Sequence, residues 1–502
     1  MSATAPGNEV FDLAQAAFAR GAWQEARDAY QRFLAQGGAG EQGWVATYRA
    51  GLCALQLDLW EAAVATLLAA WERNPGRSEP LATLASAARR RSDNHLALLL
   101  ARQALANAPP EPAALAFDRS AYFSSPLEDV SISAFYTGER ELGRQACEAL
   151  LHERSCATVT RDLAARNSTY YLETVAPTFH RHIPLADDIR SAGEIATAGS
   201  LVADDDGYRL LVRLQTRDPD HQTYAGRVLD WTQRARNAVV LLDSTLVPQQ
   251  VAVLDDRAHD RLAREPLGAL AVHGIEQAHL TRWDGAWWLT GLSCHAVPAG
   301  ERGVVLARLD TAGTRIERAL PLVRAEGAAP AWEQSWLPVV GDAQHRLLAA
   351  FDPPQVLAAD VASGRCSVAQ VAAPAAYLGR YRPVAGLAPD DDGYLALAED
   401  VAVVDERRVA LYRFVRLSAQ LEVVGVSRPF GLHRPGHDRI GGLCRSHDGT
   451  HIVLAWSNGP NALWVSELPR EVVAAALFPL EQLTPQVEAL APWYTRRRGV
   501  NA

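Results

Sequence analysis

Hydrophobic residues follow two different patterns along this chain, and the pattern changes between residues 160 and 190. Up to about residue 160 the chain is rich in Ala and Leu, with apolar positions at the three- and four-residue spacing of amphipathic helices. After about residue 190, short runs of alternating apolar and polar residues are separated by turn dipeptides, which is typical of antiparallel strands. The sequence therefore predicts an α + β multidomain protein, with helical repeats at 1–160, a linker at 161–190, an all-β domain at 191–468 and a helical tail at 469–502.

The helical part repeats itself. FARGAWQEA at 18–26 returns as LQLDLWEAA at 55–63, and two more helix pairs follow at 81–107 and 135–150. A period near 34 residues, with a small residue at each turn, is the tetratricopeptide signature. It predicts a solenoid, because a single helix pair cannot bury its apolar face alone. Two roles remain open: a concave surface for a protein partner, or a spacer or dimerisation element.

The β part contains hairpin signals at regular intervals. Asp284-Gly285 separates AHLTRW from AWWLTGL, and Asp448-Gly449 precedes HIVLAWS. Asp-Gly between two alternating runs favours a type I′ turn, whose two central residues need positive φ. Many short strands at this spacing predict a β-propeller of four or five blades, since a sandwich of this length would be unusually large.

Several segments of the β part resemble, in the same order, the five-bladed propellers of mannoside phosphorylases. They also resemble related propeller domains attached to bacterial glycosyltransferases and tetratricopeptide proteins. The segments are VHGIEQAHL (272–280), EQSWLPV (333–339), GYLALAED (393–400), LYRFVRL (411–417) and the final 440–464. This resemblance spans roughly residues 195–468 and implies five blades around a central sugar-binding pocket.

The resemblance also implies that the family chemistry is altered. In the active relatives an aspartate acts as general acid, and this position is Gln277 here. An arginine of the relatives becomes His279, and two histidines become Ala398 and Tyr412. An amide has no proton to give at neutral pH, so phosphorylase or hydrolase activity by the family mechanism is not expected.

Twelve residues are candidates for a site in this domain. Glu276 and His279 are the candidate catalytic residues; the alternatives are a glutamate that anchors a neighbouring backbone and a histidine satisfied at a strand edge. Arginines could hold a diphosphate through forked hydrogen bonds, and the alternative is that they are ordinary surface residues. The face of a tryptophan ring suits a pyranose, and the alternative is that this tryptophan belongs to the core. The candidate substrate-binding residues are Arg213, Arg236, Asn237, Gln277, Glu333, Trp336, Arg380, Glu399, Tyr412 and Arg413.

Composition narrows the possible partners and chemistry. The 502 residues carry a formal net charge of −9, and the 49 basic residues are all arginine, which excludes lysine nucleophiles and disfavours nucleic acid as a partner. Lysine-free composition indicates a GC-rich bacterial genome. Six scattered cysteines without C-x-x-C spacing predict neither a zinc site nor disulfides, and fit the cytoplasm. No cofactor, metal site or membrane span is expected, and the Asp triplets at 204–206 and 390–392 are interpreted as turns.

Two functions are consistent with the sequence. The first is a carbohydrate-active, glycosyltransferase-like protein whose propeller handles a sugar or nucleotide sugar while the helical repeats bind a protein acceptor or partner. The second is a non-catalytic, degenerate propeller that binds glycan or protein and scaffolds a glycosylation or envelope-assembly complex.

Overall fold

A computed structural model of the chain describes residues 6–110, 114–152, 156–215, 234–262, 273–295, 303–324, 336–340, 343–351, 354–371, 378, 381–405 and 407–479. These residues fall into two compact units, divided between Tyr171 and Leu172. The first unit is helical and the second is mostly β. Among the described residues, no helix has both the length and the apolar character needed to cross a bilayer.

The helical unit contains helices that pack in sequence. Each α-helix packs against the next, and α1 also contacts α3, α5 contacts α7, and α7 contacts α9. The helices described are α1 (Pro6–Ala19), α2 (Trp23–Ala35), α3 (Gly40–Gln56), α4 (Trp60–Arg73), α5 (Glu79–Arg90), α6 (Asn94–Leu105), a 3-10 turn (Arg119–Tyr122), α7 (Ser124–Tyr136), α8 (Arg140–His152) and α9 (Thr158–Ser168). Helix pairs at the predicted positions are therefore present.

The turn inside each helix pair has one conformation. A residue with positive φ stands two positions before the second helix of each pair: Gly21, Asp58, Ser92 and Gly138. Three positions into that helix lies a small residue: Ala26, Ala63, Ala97 and Gly143. The three alanines are fully buried, and a Cβ at Gly143 would collide with Tyr171. The spacing of the sequence repeat thus reflects one left-handed turn residue and one close helix contact.

The β unit contains five sheets within the described residues, and in each the strands pair mainly with their neighbours in sequence. Sheet I has β3 (Ile195–Asp204), β4 (Gly207–Gln215), β5 (Arg234–Asp243), β6 (Pro248–Val253) and β7 (His273–Gly274); sheet II has β8 (Glu276–Trp283), β9 (Ala286–Ser293), β10 (Gly303–Leu309) and β11 (Ile316–Pro321); sheet III has β12 (Val323–Arg324), β13 (Leu337–Pro338), β14 (Arg346–Phe351), β15 (Pro354–Ala359) and β16 (Arg365–Val371). Sheet IV has β1 (Glu173–Thr174), β17 (Arg382–Asp390), β18 (Gly393–Val404), β19 (Arg407–Ser418), β20 (Val423–Ser427), β21 (Phe430–Gly431) and β25 (Leu477–Pro479); sheet V has β2 (Phe179–His182), β22 (Arg439–Arg445), β23 (His451–Ser457) and β24 (Leu463–Pro469). Two short helices, α10 (Arg257–Asp260) and α11 (Arg470–Ala476), complete the unit.

The sheets are arranged in a propeller-like ring. Their innermost strands contact one another in the order β3, β8, β13, β17, β22 and back to β3. Neighbouring sheets share apolar cores, which join sheet I to II, II to III, IV to V, and V to I. The Asp284-Gly285 hairpin joins β8 to β9 with positive φ at both residues, as the sequence predicted.

The predicted domain boundaries differ from those of the structure. The expected linker contains the end of α9 and strands β1 and β2, and β2 pairs antiparallel with β24, with Phe179 opposite Glu467. A strand from the start of the unit therefore completes its last sheet. Within the described part of the expected helical tail, a helix runs from Arg470 to Ala476, after which the chain becomes extended and β25 pairs with β20. The rest of that tail lies outside the described residues.

We expect Gly441→Ala to lower the free energy of unfolding by about 1–3 kcal/mol, because overpacking at a close backbone contact forces a shift. A Cβ at this position would collide with the carbonyl oxygen of Ala198, where β22 meets β3. Urea denaturation of the two proteins measures the difference. Gly425→Ala is the control, since its nearest neighbour would be the Phe478 carbonyl oxygen at 3.3 Å. Equal losses in both variants would contradict the proposed crowding at the centre.

Candidate functional site

Four innermost strands carry a β-bulge where they face the centre of the ring. Each bulge inserts one extra residue relative to the partner strand, and bulges of this kind bend a strand and redirect its side chains. They lie at 198–201 in β3, 276–279 in β8, 383–385 in β17 and 440–442 in β22. Residues of all four bulges line one cavity of about 480 Å³. The repeated irregularity of the strands thus creates the central cavity.

The β8 bulge is held by two residues of sheet I. Gln277 lies in this bulge with φ 46° and lines the cavity. Next to it, the buried Glu276 forms an ion pair with Arg213. On the other side, the Asn237 side chain donates a hydrogen bond of 3.0 Å to the carbonyl oxygen of Ile275. The left-handed backbone of this non-glycine residue therefore follows two residues, Ile275 and Glu276, that are both held by contacts from the neighbouring sheet.

Glu399 is the centre of a polar network in the cavity wall. Its carboxylate accepts hydrogen bonds from the Tyr412 hydroxyl at 2.8 Å and from Arg382 Nη2 at 2.9 Å, and it also pairs with Arg408. Arg382 and Tyr412 lie directly opposite Glu399 on the two flanking strands, β17 and β19. The Tyr412 oxygen also accepts a hydrogen bond from the Ile440 amide at 3.2 Å, which connects sheet IV to sheet V. The strand register therefore assembles this network.

His279 stands between this cavity and a second, mainly apolar cavity of about 210 Å³. Leu201, Leu387 and Leu443 are among the residues that line the second cavity. His279 is buried, and its Nδ1 has no hydrogen-bond partner in the described part of the chain. Burial lowers the pKa of this imidazole to about 4, so the ring is neutral at pH 7.

Six of the twelve candidates line the central cavity: Arg213, Asn237, Gln277, His279, Glu399 and Tyr412. Glu276 lies behind Gln277 in the ion pair with Arg213. The other candidates that the structure describes have partners elsewhere. Arg236 donates to Glu194 through Nε at 2.8 Å, Trp336 is fully buried in the core between sheets II and III, and Arg413 donates to the Ser427 carbonyl oxygen at 3.0 Å.

Glu333 and Arg380 lie outside the described residues. Four charged residues of the cavity were not among the candidates from the sequence: Arg382, Asp400, Arg408 and Arg439. Asp400 directly follows Glu399 in GYLALAED, so its place in the segment was visible in the sequence. The arginines gave no such signal, because they reach the cavity through strand pairing and not through a motif.

No known protein family matches the sequence, and no curated protein matches it. Among solved structures, a mannosyltransferase from Leishmania mexicana that depends on GDP-Man has 9% identity, with 61% of this chain and 94% of that chain covered and a TM-score of 0.34. A mannose phosphorylase from the same organism, in complex with phosphate, has 9% identity, coverage of 61% and 91%, and a TM-score of 0.33. The MamA protein has 14% identity, coverage of 33% and 84%, and a TM-score of 0.25. All three scores are below 0.5, so the fold described above rests on this chain's own helix packing and sheet pairing.

The buried His279 makes stability depend on pH. Its pKa is about 4 in the folded chain, against about 6.5 when unfolded, so only the unfolded chain binds this proton between those values. Its contribution is complete above pH 6.5, and falls by about 1.4 kcal/mol per unit as the pH drops towards 4. As the pH drops from 6.5 to 4, the unfolding free energy of His279→Leu should therefore fall less steeply than that of the wild type, by about 1.4 kcal/mol per pH unit. Urea titrations from pH 7 to 4 test this, with the exposed His182→Leu as control. Parallel pH profiles for wild type and His279→Leu would refute it.

Tyr412→Phe should destabilise the β unit by about 1.5–3 kcal/mol, because it removes a hydrogen bond to a buried carboxylate. The control is Tyr394→Phe. Tyr394 lies on the same strand as Glu399, β18, and its hydroxyl makes no hydrogen bond within the described residues. Chemical denaturation gives the difference between the two variants. A loss no larger than that of the control would show that the Tyr412 hydroxyl does not support Glu399.

Proposed function

We propose that this chain is a carbohydrate-active, glycosyltransferase-like protein. Its β unit is a five-bladed propeller in which each sheet forms one blade, and its central cavity binds a sugar or nucleotide sugar. Its helical unit is a tetratricopeptide-like solenoid that binds a protein acceptor or partner. We place it in the cytoplasm of a bacterium, which is supported by six buried cysteines with no disulfide among them.

The polar lining of the central cavity carries this proposal. Four arginines (Arg213, Arg382, Arg408 and Arg439) and the acids Glu399 and Asp400 line it, together with the amides of Asn237 and Gln277. Such a mixture of donors and acceptors suits the hydroxyl groups of a sugar, and the arginines suit the phosphates of a sugar nucleotide. A volume near 480 Å³ lies within the range of about 300–1,000 Å³ that small-molecule sites occupy.

The arrangement favours transfer from a nucleotide sugar over phosphorolysis or hydrolysis of a glycoside. A sugar alkoxide leaves only after protonation, and the sequence resemblance aligns Gln277 with the general acid of the mannoside phosphorylases. A nucleoside diphosphate leaves without a proton when cations neutralise its charge, and the arginines of the cavity can do this. Asp400, buried in the cavity wall, is then the candidate base for an acceptor hydroxyl.

A non-catalytic binding role is the second candidate, and the contacts of the two glutamates favour it. Glu276 is paired with Arg213, and Glu399 is bonded to three side chains. These contacts suit groups that shape the wall of a cavity better than groups that exchange protons. In this version the chain binds a glycan or protein and scaffolds an assembly without turnover.

The helical unit carries an exposed aromatic patch that supports partner binding. Tyr136 and Tyr170 are well exposed, and the centroid of each ring lies 5.5 Å from that of Phe135, which is 37% exposed. Exposed aromatic residues of this kind are enriched in protein interfaces. The patch gives the proposed acceptor or partner a surface to contact.

Titration calorimetry with a panel of sugar nucleotides and sugar phosphates tests the binding proposal. We expect saturable binding of one sugar nucleotide, weakened about 10- to 100-fold in Arg439→Gln, because one charge-assisted hydrogen bond contributes about 1.5–3 kcal/mol. Arg416→Gln is the matched control, since Arg416 pairs with Asp390 and Asp392 outside the central cavity. If no compound binds, or if both variants lose affinity equally, the cavity is not the proposed site.

Turnover separates the two versions of the function. With the bound sugar nucleotide, a transferase releases nucleoside diphosphate, and Asp400→Asn should abolish this release while leaving binding within a few fold of wild type. If the sugar nucleotide binds but no nucleoside diphosphate is released, even when a copurifying partner of the helical unit is present, the non-catalytic scaffold is the function.

A further inference from the structure

A second polar cluster lies away from the central cavity, between sheets I and II. His259 and Asp260 end the short helix α10, which follows β6 of sheet I, and His295 follows β9 of sheet II by two residues. His259 is completely buried and His295 is 8% exposed. Their rings stack with centroids 4.7 Å apart, and the ring of His273 meets His295 edge-on at 5.6 Å. Three imidazoles and a carboxylate thus converge from segments that are distant in sequence.

Three of the four ring nitrogens of His259 and His295 lack hydrogen bonds within the described residues. His259 Nδ1 and both ring nitrogens of His295 have no partner in the described part of the chain. A buried polar atom without a partner destabilises a fold, so native structures rarely keep one, and three in two adjacent rings require an explanation. A metal ion is one group that would satisfy such atoms at once, because a neutral imidazole nitrogen is a common metal ligand.

The orientation of His259 suits a ligand. Its Nε2 lies 2.7 Å from the Ser293 hydroxyl oxygen, which also accepts a hydrogen bond from the His295 backbone amide at 2.9 Å. When Nε2 carries the proton and donates to Ser293, the lone pair is on Nδ1, which lies 3.7 Å from Asp260 Oδ1. A histidine that binds a metal through one ring nitrogen usually donates a hydrogen bond from the other, as Nε2 would do here towards Ser293.

We propose that His259, Asp260 and His295 bind a divalent first-row transition metal ion, with Zn²⁺ as the best match. Their candidate ligand atoms all lie within 4.8 Å of one another. Bonds of about 2.0–2.1 Å in a tetrahedral site place ligand atoms about 3.3 Å apart, so the set needs to contract by at most about 1.5 Å. Two imidazoles and a carboxylate suit zinc or iron better than calcium or magnesium, which prefer oxygen ligands.

The ion would connect two sheets. Two ligands come from helix α10, which follows sheet I, and the third lies just after β9 of sheet II, so one metal would tie neighbouring sheets together. Three protein ligands leave a fourth position for water or a further ligand. The sequence predicted no metal site because His259 and His295 are 36 positions apart and no motif spacing marks them.

Metal binding to the full chain, without a histidine tag and after treatment with chelator, tests this site. We expect one equivalent of Zn²⁺ to bind in titration calorimetry and to raise the melting temperature. Co²⁺ should bind with the intense visible absorption of a four-coordinate nitrogen and oxygen site. Ser293→Ala should weaken zinc binding about 10- to 100-fold, since it removes the support of a ligand, and Asp260→Asn at least as much.

The control removes a histidine and carboxylate pair elsewhere in the same unit. His345 Nε2 lies 2.8 Å from Asp284 Oδ2, and His345→Gln should bind zinc as the wild type does. Asp260 is partly exposed, so Asp260→Asn keeps the test valid even if variants of the buried histidines fail to fold. The proposal is overturned if the wild type shows no saturable binding, or if Asp260→Asn and Ser293→Ala bind zinc as tightly as the wild type.

Discussion

The close approach of the innermost strands is the constraint on which the β unit depends. Five strands must meet around one axis, and at the closest points backbone lies against backbone. At Gly386 and Gly441, an added Cβ would collide with a carbonyl oxygen of the neighbouring strand. Because only glycine has no Cβ, these positions let the sheets converge far enough to share apolar cores between neighbours. The pairing of β2 with β24 then completes the last sheet with a strand from the start of the unit.

The same crowding explains why the cavity is polar and irregular. Regular strands would bring their side chains to the axis at even spacing, whereas the bulges in four of the strands turn backbone and polar side chains towards the centre. In β8 this produces the left-handed Gln277, which is held by Arg213 through Glu276 and by Asn237 through Ile275. The fold and the candidate site thus have a common origin in the packing of the innermost strands.

The sequence allowed prediction of features that depend on local patterns. The helix pairs and the Asp284-Gly285 hairpin were predictable, because each follows from a few neighbouring residues. The role of β2 was not predictable from the sequence. Its four residues show no strong alternation of apolar and polar side chains, and they form a strand because they pair with the edge of β24. Arg382 was missed for the same reason: it meets Glu399 only through the register of β17 on β18. Features that need two distant segments to meet are set by the tertiary structure, which a single sequence does not display.

In a chain without lysine, arginine must supply the positively charged side chains both for structural ion pairs and for any contact with an anionic ligand. The cavity shows why one residue type can serve both purposes. Arg382 contacts Glu399 through Nε and Nη2, while the guanidinium has five N–H donors in all. One arginine can therefore hold a carboxylate of the wall and still direct further donors to a ligand, which a single ammonium group does with less fixed geometry. It follows that the ion pairs around Glu399 do not exclude a role of the same arginines in binding. They orient the guanidinium planes in advance, which would reduce the entropy lost on binding an anionic ligand.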